Sequence, residues 1–128
     1  MQLSFLIAKA LLDGDFASYF ASVPSAADDP EPIVLRQGKF EREARFEDGE
    51  RGTVAVAVLV VRDVEATAEA DAQACERWLR SYGWEASAEN GSWRIAGLDT
   101  TAPHFIERDG SGRFVWGFDV NLTVVRYL

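Results

Sequence analysis

Cysteine occurs once, at Cys75, and histidine once, at His104. A single thiol excludes an internal disulfide and suits a reducing compartment. One cysteine and one histidine also cannot supply the paired ligand spacing of a zinc or other transition-metal site, so no cofactor is expected. Lysine is almost as scarce, at Lys9 and Lys39 only, and 13 basic residues against 21 acidic ones give a formal net charge of −8. Such a chain is repelled on average by phosphate backbones and anionic lipid, and no basic cluster offsets this. Neither specific nucleic acid nor a membrane surface is an expected partner. No apolar run approaches the roughly 20 residues that cross a bilayer. The opening MQLSFLIAKALLDGDF lacks a basic leader and a small-residue cleavage site, and is not expected to act as a signal peptide. Internal repeats and low-complexity tracts are missing, so residues 1–128 are expected to form one domain.

Signals for catalysis are equally sparse. His104, in PHFIE, has no motif around it and reads as a surface or edge-strand histidine. Cys75 falls on the inward stripe of a helix, where a thiol is inert. Ser111, in DGSGR, lies between two strands, which is the setting of a tight turn and not of a nucleophile elbow. Asp28 and Asp29 are adjacent loop acids without the alternating ligands of a calcium loop. No glycine-rich phosphate loop follows a strand. The expectation is a protein that is not an enzyme.

What the chain does have is apolar patterning: 48% of its residues are hydrophobic, enough for a sizeable core. Residues 3–12 carry Leu3, Leu6, Ile7, Ala10 and Leu11 on one helical face, and Gly14 interrupts. Asp15 could cap a second short helix over 16–21 with Phe16, Tyr19 and Phe20 inward. VPSAADDPEP at 23–32 is an extended acidic surface loop.

Lys39–Glu47 alternates charged and apolar residues, and Thr53–Arg62 is a Val-rich strand, the two joined by a turn around Asp48–Glu50. A two-residue turn would lay Phe40 and Ala44 beside Ala57 and Thr53 and leave Val54, Val56 and Val58 on the charged face. The three-residue loop is expected instead, since it puts Phe40, Ala44 and Phe46 on the Val face, with Arg42 an exception that snorkels or sits at an edge. Asp63 then reads as the N-cap of a helix over about 64–82, with Val64, Ala68, Ala72, Cys75, Trp78, Leu79 and Tyr82 inward and Gly83 just beyond. After a turn at Asn90-Gly91, strands are expected over 92–98 and 103–108. Turn 109–112 returns into a long final strand, pairing Phe105 with Trp116, Ile106 with Val115 and His104 near Gly117.

In that last strand Phe114, Trp116, Phe118, Val120, Leu122 and Val124 face a core. Asp119 and Asn121 lie on the opposite side, toward water or a polar contact. Thr53–Val61 is apolar on both faces, so its second face is covered either by another chain or by the N-terminal helices. The expected fold is α+β: a mainly antiparallel sheet of about four to five strands, packed by the long helix and short N-terminal helices.

This order of elements, with TVAVAVLVVRD, ADAQACERWLRSYGW and the final WRIAGLDTTAPHFIERDGSGRFVWGFDVNLTVVR, resembles the tail-completion, or tail-terminator, proteins of long-tailed bacteriophages and prophages, some of them described as minor capsid proteins. The resemblance is closest from Gly52 onward. It is carried by a closing cadence of Pro103, Arg108, Asp109, Gly112, Arg113, Phe114, Trp116, Asp119, Val120, Leu122 and Thr123, while the 23–32 loop falls outside it.

The resemblance implies a virion protein, made in the bacterial host cytoplasm, that forms a ring, usually a hexamer. The ring ends the tail tube and joins it to the head connector, with tail-tube and head-completion proteins as partners and DNA passing through. The charged hairpin and the polar sheet face are then candidate subunit contacts: Glu41, Glu43, Arg45, Glu47, Arg51, Asp119 and Asn121. A solvated hairpin whose charges discourage edge pairing explains the same pattern. The competing functional readings are a small cytoplasmic ferredoxin-like ligand-binding or regulatory module, and an enzyme using carboxylates with His104.

Overall fold

The computed structural model describes residues 3–84 and 91–127. Its elements are α1 (Leu3–Asp13), β1 (Tyr19–Phe20), β2 (Ile33–Gln37), β3 (Glu41–Phe46), β4 (Gly49–Arg62), α2 (Glu65–Ser81), β5 (Trp93–Thr100), β6 (His104–Arg108) and β7 (Phe114–Tyr127). The fold is α+β, as expected, but the sheet has seven strands where four to five were expected. The additional ones are β1 and β2. The short β2 has no alternation to reveal it: Ile33, Val34 and Leu35 are buried on both faces.

Two strands of 14 residues, β4 and β7, form the centre. They pair antiparallel along their whole length, from Gly49 opposite Tyr127 to Arg62 opposite Phe114. Along the outer side of β4 lie β3, beside Gly49–Thr53, and β2, beside Val56–Val60. Along the outer side of β7 lie β5 and β6. β1 joins β2 in parallel, which makes the sheet mixed.

Both helices pack on one face. Val54, Val56, Val58 and Val60 of β4 and Phe118, Val120, Leu122 and Val124 of β7 share a core with Ala72, Cys75 and Leu79 of α2 and Leu3, Ile7, Ala10 and Leu11 of α1. The small residues of α2 bring it close to the sheet, and Trp78 reaches α1, its indole N–H donating to the Ala10 carbonyl at 2.6 Å. Burial at this scale stabilises by roughly 1.5–3 kcal/mol per large side chain.

Several local expectations are corrected. Residues 16–21 are not helical: Asp15 and Ala21 adopt left-handed backbone (φ 65° and 66°), the Tyr19 hydroxyl donates to Asp29, and Phe20 meets Phe5 edge to face at 4.8 Å. Those partners lie outside a local helix and outweigh its weak propensity. The N-cap of α2 is Val64, extended and without a side-chain cap bond, so Asp63 does not cap; Val64 is 59% exposed and does not point inward. Glu76, unanticipated on the inner stripe, is buried and accepts from Thr100 at 2.8 Å and Arg80 at 3.2 Å. The expected Asn90-Gly91 turn involves Asn90, which lies outside the described residues.

The β3–β4 hairpin turns through two residues, Glu47 and Asp48, with Phe46 opposite Gly49. The expected three-residue loop is replaced by this turn plus a bulge at Glu43, between the pairs Arg42–Gly52 and Ala44–Arg51. A bulge flips parity within a strand. Phe40 therefore reaches the Val face, while Ala44 and Phe46 sit on the other side, Phe46 being 40% exposed. Arg42 is exposed at the edge, 3.7 Å from Glu50.

A second bulge corrects β6: Phe105 opposes Trp116 and His104 opposes Gly117 as expected, but Glu107, not Ile106, opposes Val115. Ile106 lies over Gly117, where an added Cβ would stand 2.6 Å from its Cδ1.

Candidate functional site

The sheet face away from the helices carries the surfaces of interest, and three zones follow one another along the β4–β7 ribbon. At the Arg62–Phe114 end, Val34, Leu59, Val61 and Val115 form a small second core closed by Val23. The second apolar face of β4 is thus covered here by the acidic loop at 23–32, and not by the N-terminal helices.

Two arginines from the adjacent ends of β4 and β7 hold that loop. The Arg113 guanidinium, 4% exposed, donates to Asp109 at 2.7 Å, to the Asp29 carbonyl at 3.0 Å and to the Pro24 carbonyl at 3.1 Å. Arg62 donates to Asp71 at 2.8 Å and to the Glu31 carbonyl at 2.7 Å.

Their partner acids respond. Burial pushes the Asp109 carboxyl up, but backbone and side-chain hydrogen bonds from Arg113 outweigh it and hold the group below the ordinary carboxylate range. Asp29 is also held low, chiefly by the Tyr19 hydroxyl and the Glu31 N–H. The sequence placed Arg113 only in a recurring cadence. A lone arginine between a turn glycine and a buried aromatic strand was the available signal for a structural role.

The middle zone answers the question of Asp119 and Asn121. Both are half-buried, Asp119 opposite Ala57 and Asn121 between Ala55 and Asp99. The Asp119 N–H is taken by Thr101 Oγ1 at 2.8 Å, and its carbonyl accepts from the Thr101 N–H at 3.0 Å. These bonds tie the strand to the β5–β6 connector. The side chains stand among small neighbours and leave the sheet face flat.

The third zone is the hairpin end. Glu41, Glu43, Arg45, Glu47 and Arg51 are all exposed here, as is every residue of β3. They do not form one cluster with Asp119 and Asn121. Glu43 accepts from the Thr53 hydroxyl, while Glu41 and Arg51 share the flat face.

Glu50, expected in the turn, lies in β4 and is buried. It accepts from Arg126 at 2.6 Å, and that bond holds its carboxyl below the ordinary range. The Arg126 guanidinium in turn lies 4.2 Å from the centre of the Phe40 ring. On the flat side, a groove of about 490 Å³ is lined by Arg45, Arg51 and Arg94 together with Phe46, Val125 and Tyr127. Arg94, Phe46 and Tyr127 were not anticipated there. Simple parity puts Phe46 in the core; the bulge at Glu43 moves it to the flat side.

Of the residues weighed for chemistry, Asp29 and Ser111 belong to the loop clamp, while His104 and Cys75 stand apart from it. His104 is exposed, its Nδ1 3.3 Å from the Ala102 carbonyl. Cys75 is fully buried and desolvation pushes its thiol up to about 12. Ser111 donates its N–H to Asp109 inside the β6–β7 turn. Among the described residues no group of three or more His, Cys, Asp or Glu is placed to hold a metal ion, and no helix is long and apolar enough to cross a membrane.

No curated protein sequence matches the chain. The family model for bacteriophage tail terminator proteins, however, matches residues 6–126 of the 128, nearly the whole of the fold just described. The chain belongs to the bacteriophage tail terminator family, whose members are structural proteins of the phage tail.

Proposed function

We propose that the protein assembles as a ring of identical subunits that ends the tail tube and presents a surface to the head connector, as a component of the virion. The observation that carries this reading is the family match over residues 6–126. The exposed hairpin supports it. A ring is built from heterologous contacts that close on themselves, commonly through projecting hairpins and free sheet edges. β3 is such an edge, exposed at all six residues, with Glu41, Arg42, Glu43 and Arg45 interleaving charge along it, Glu47 in the turn beyond and Arg51 facing it from β4. Alternating charge sets register between neighbours more than it adds affinity. Asp119 and Asn121, on the flat polar face, would meet a neighbour or line the lumen. A chain of net charge −8 offers DNA a passage without phosphate contacts.

The mass in solution, alone and with the tail-tube protein, tests this. A ring of about six subunits of 14.2 kDa is expected in at least one condition, with annular particles in negative stain. A monomer in both overturns the ring.

A further inference from the structure

The ends of the β4–β7 ribbon differ in a way that specifies how one subunit would meet the next. At the Gly49–Tyr127 end lies the groove already described, with three arginines, two aromatics that are each 40% exposed, and no carboxylate among its described lining residues. That composition is unusual in a chain where acids outnumber bases 21 to 13. Among the described residues Arg45 and Arg51 make no ion pair, and Arg94 donates only to the Tyr127 hydroxyl at 3.1 Å.

At the other end, where β4 runs into α2, the corner Asp63-Val64-Glu65 is exposed, and so is Glu69 one turn on. Val64 is 59% exposed between its two acids. Asp63, Glu65 and Glu69 also make no ion pair among the described residues, whereas the arginines of that end, Arg62 and Arg113, are committed to the loop clamp.

We infer that the arginine–aromatic groove of one subunit receives the Asp63-Val64-Glu65 corner, with Glu69, of a second copy of this chain. Val64 would sit against Phe46 and Tyr127, and its flanking carboxylates would meet Arg51 and Arg94, which share the flat face with them. The match is double, in charge and in an apolar centre rimmed by polar groups, which is how specific interfaces are built. Groove and corner lie at opposite ends of a ribbon roughly 40 Å long at the usual rise per strand residue. A subunit therefore cannot satisfy its own groove, and the contact runs head to tail, the type that closes into rings. The inference rests on the ring reading above and supplies its interface.

The experiment is charge reversal, read by sedimentation velocity in the condition where the wild-type chain associates. R51E/R94E reverses the groove, E65K/E69K reverses the corner, and a third variant combines all four changes. Each half-reversal is expected to weaken association at least about 10-fold, and the combined variant to regain it, because complementary charge is restored with exchanged sign. Wild-type association is expected to weaken from 50 to 500 mM salt. Thermal melts confirm that each variant is folded. Because corner and groove are reversed independently, one misfolded half-variant leaves the other half to decide.

If the wild type associates and folded half-variants associate equally well, the groove is not the subunit contact, while the ring reading survives. The same holds if the groove variant loses only its binding to the tail-tube protein. If both half-variants fail and the combined variant is folded but does not recover, the pairing is overturned. If the wild type associates in no condition, the ring reading itself fails, and this inference with it.

Discussion

At the scale of single residues, Arg113 ties the most distant parts of the loop clamp together. It comes from the first residues after the β6–β7 turn, yet its guanidinium spans to the Asp29 and Pro24 carbonyls more than eighty positions away. An arginine can do this because its planar fork places several donors in fixed directions, where lysine has one compact charge. Arg113→Met would keep much of the volume but leave two loop carbonyls without their donor and Asp109 with only its backbone N–H bonds. The expected cost is about 3 kcal/mol, in the range for breaking one side of a buried pair, measured by urea unfolding. A variant as stable as the wild type would show that water replaces the clamp fully. Cys75 illustrates the opposite kind of residue, whose chemistry is switched off by burial alone.

At the scale of elements, the β3–β4 hairpin shows how one extra residue redistributes a surface. The bulge at Glu43 sends Phe40 to the core and Phe46 to the flat side, and the groove exists because of it. Gly52 permits the bulge. A Cβ there would stand 2.7 Å from the Phe40 ring and nearer still to the Glu41 carbonyl. Gly52→Ala is expected to destabilise by about 1–3 kcal/mol through overpacking. It should also free β3 preferentially, seen as faster amide exchange in 41–46 than in β7. Uniform exchange rates across both strands would refute that coupling.

For the whole molecule, the relevant quantity is charge and where it is spent. Asp29, Asp109 and Glu50 all have folded-state carboxyls held below their ordinary range. A depressed carboxylate binds fewer protons folded than unfolded. Its stabilisation is therefore complete above the ordinary range, near about pH 4, and is lost as pH falls through the lowered values. The melting temperature is expected to be flat from pH 8 to about 5 and to drop below about pH 4. Arg113→Met should make that drop shallower, since it removes the guanidinium's share of the Asp109 contribution and leaves only the backbone bonds. An equally steep drop in the variant would place the acid sensitivity elsewhere. Among the described residues Asp63, Glu65 and Glu69 make no ion pair, and they are available to another chain.

The sequence alone determined what its periodicities encode. Period two in 114–124 and steps of three and four in 64–82 assigned the long strand, the long helix and the face on which they meet, because a side chain's direction within a regular element follows from its position. The same residues carried the family resemblance. Only the tertiary structure decided the rest: that 16–21 is not helical and holds the short strand Tyr19–Phe20, that Glu43 and Ile106 are bulged, that Arg113 and Arg62 pin the acidic loop, and that three arginines from β3, β4 and β5 line one groove. Each of these depends on partners far away in the chain. A local pattern cannot hold information about a neighbour that arrives only when the chain has folded.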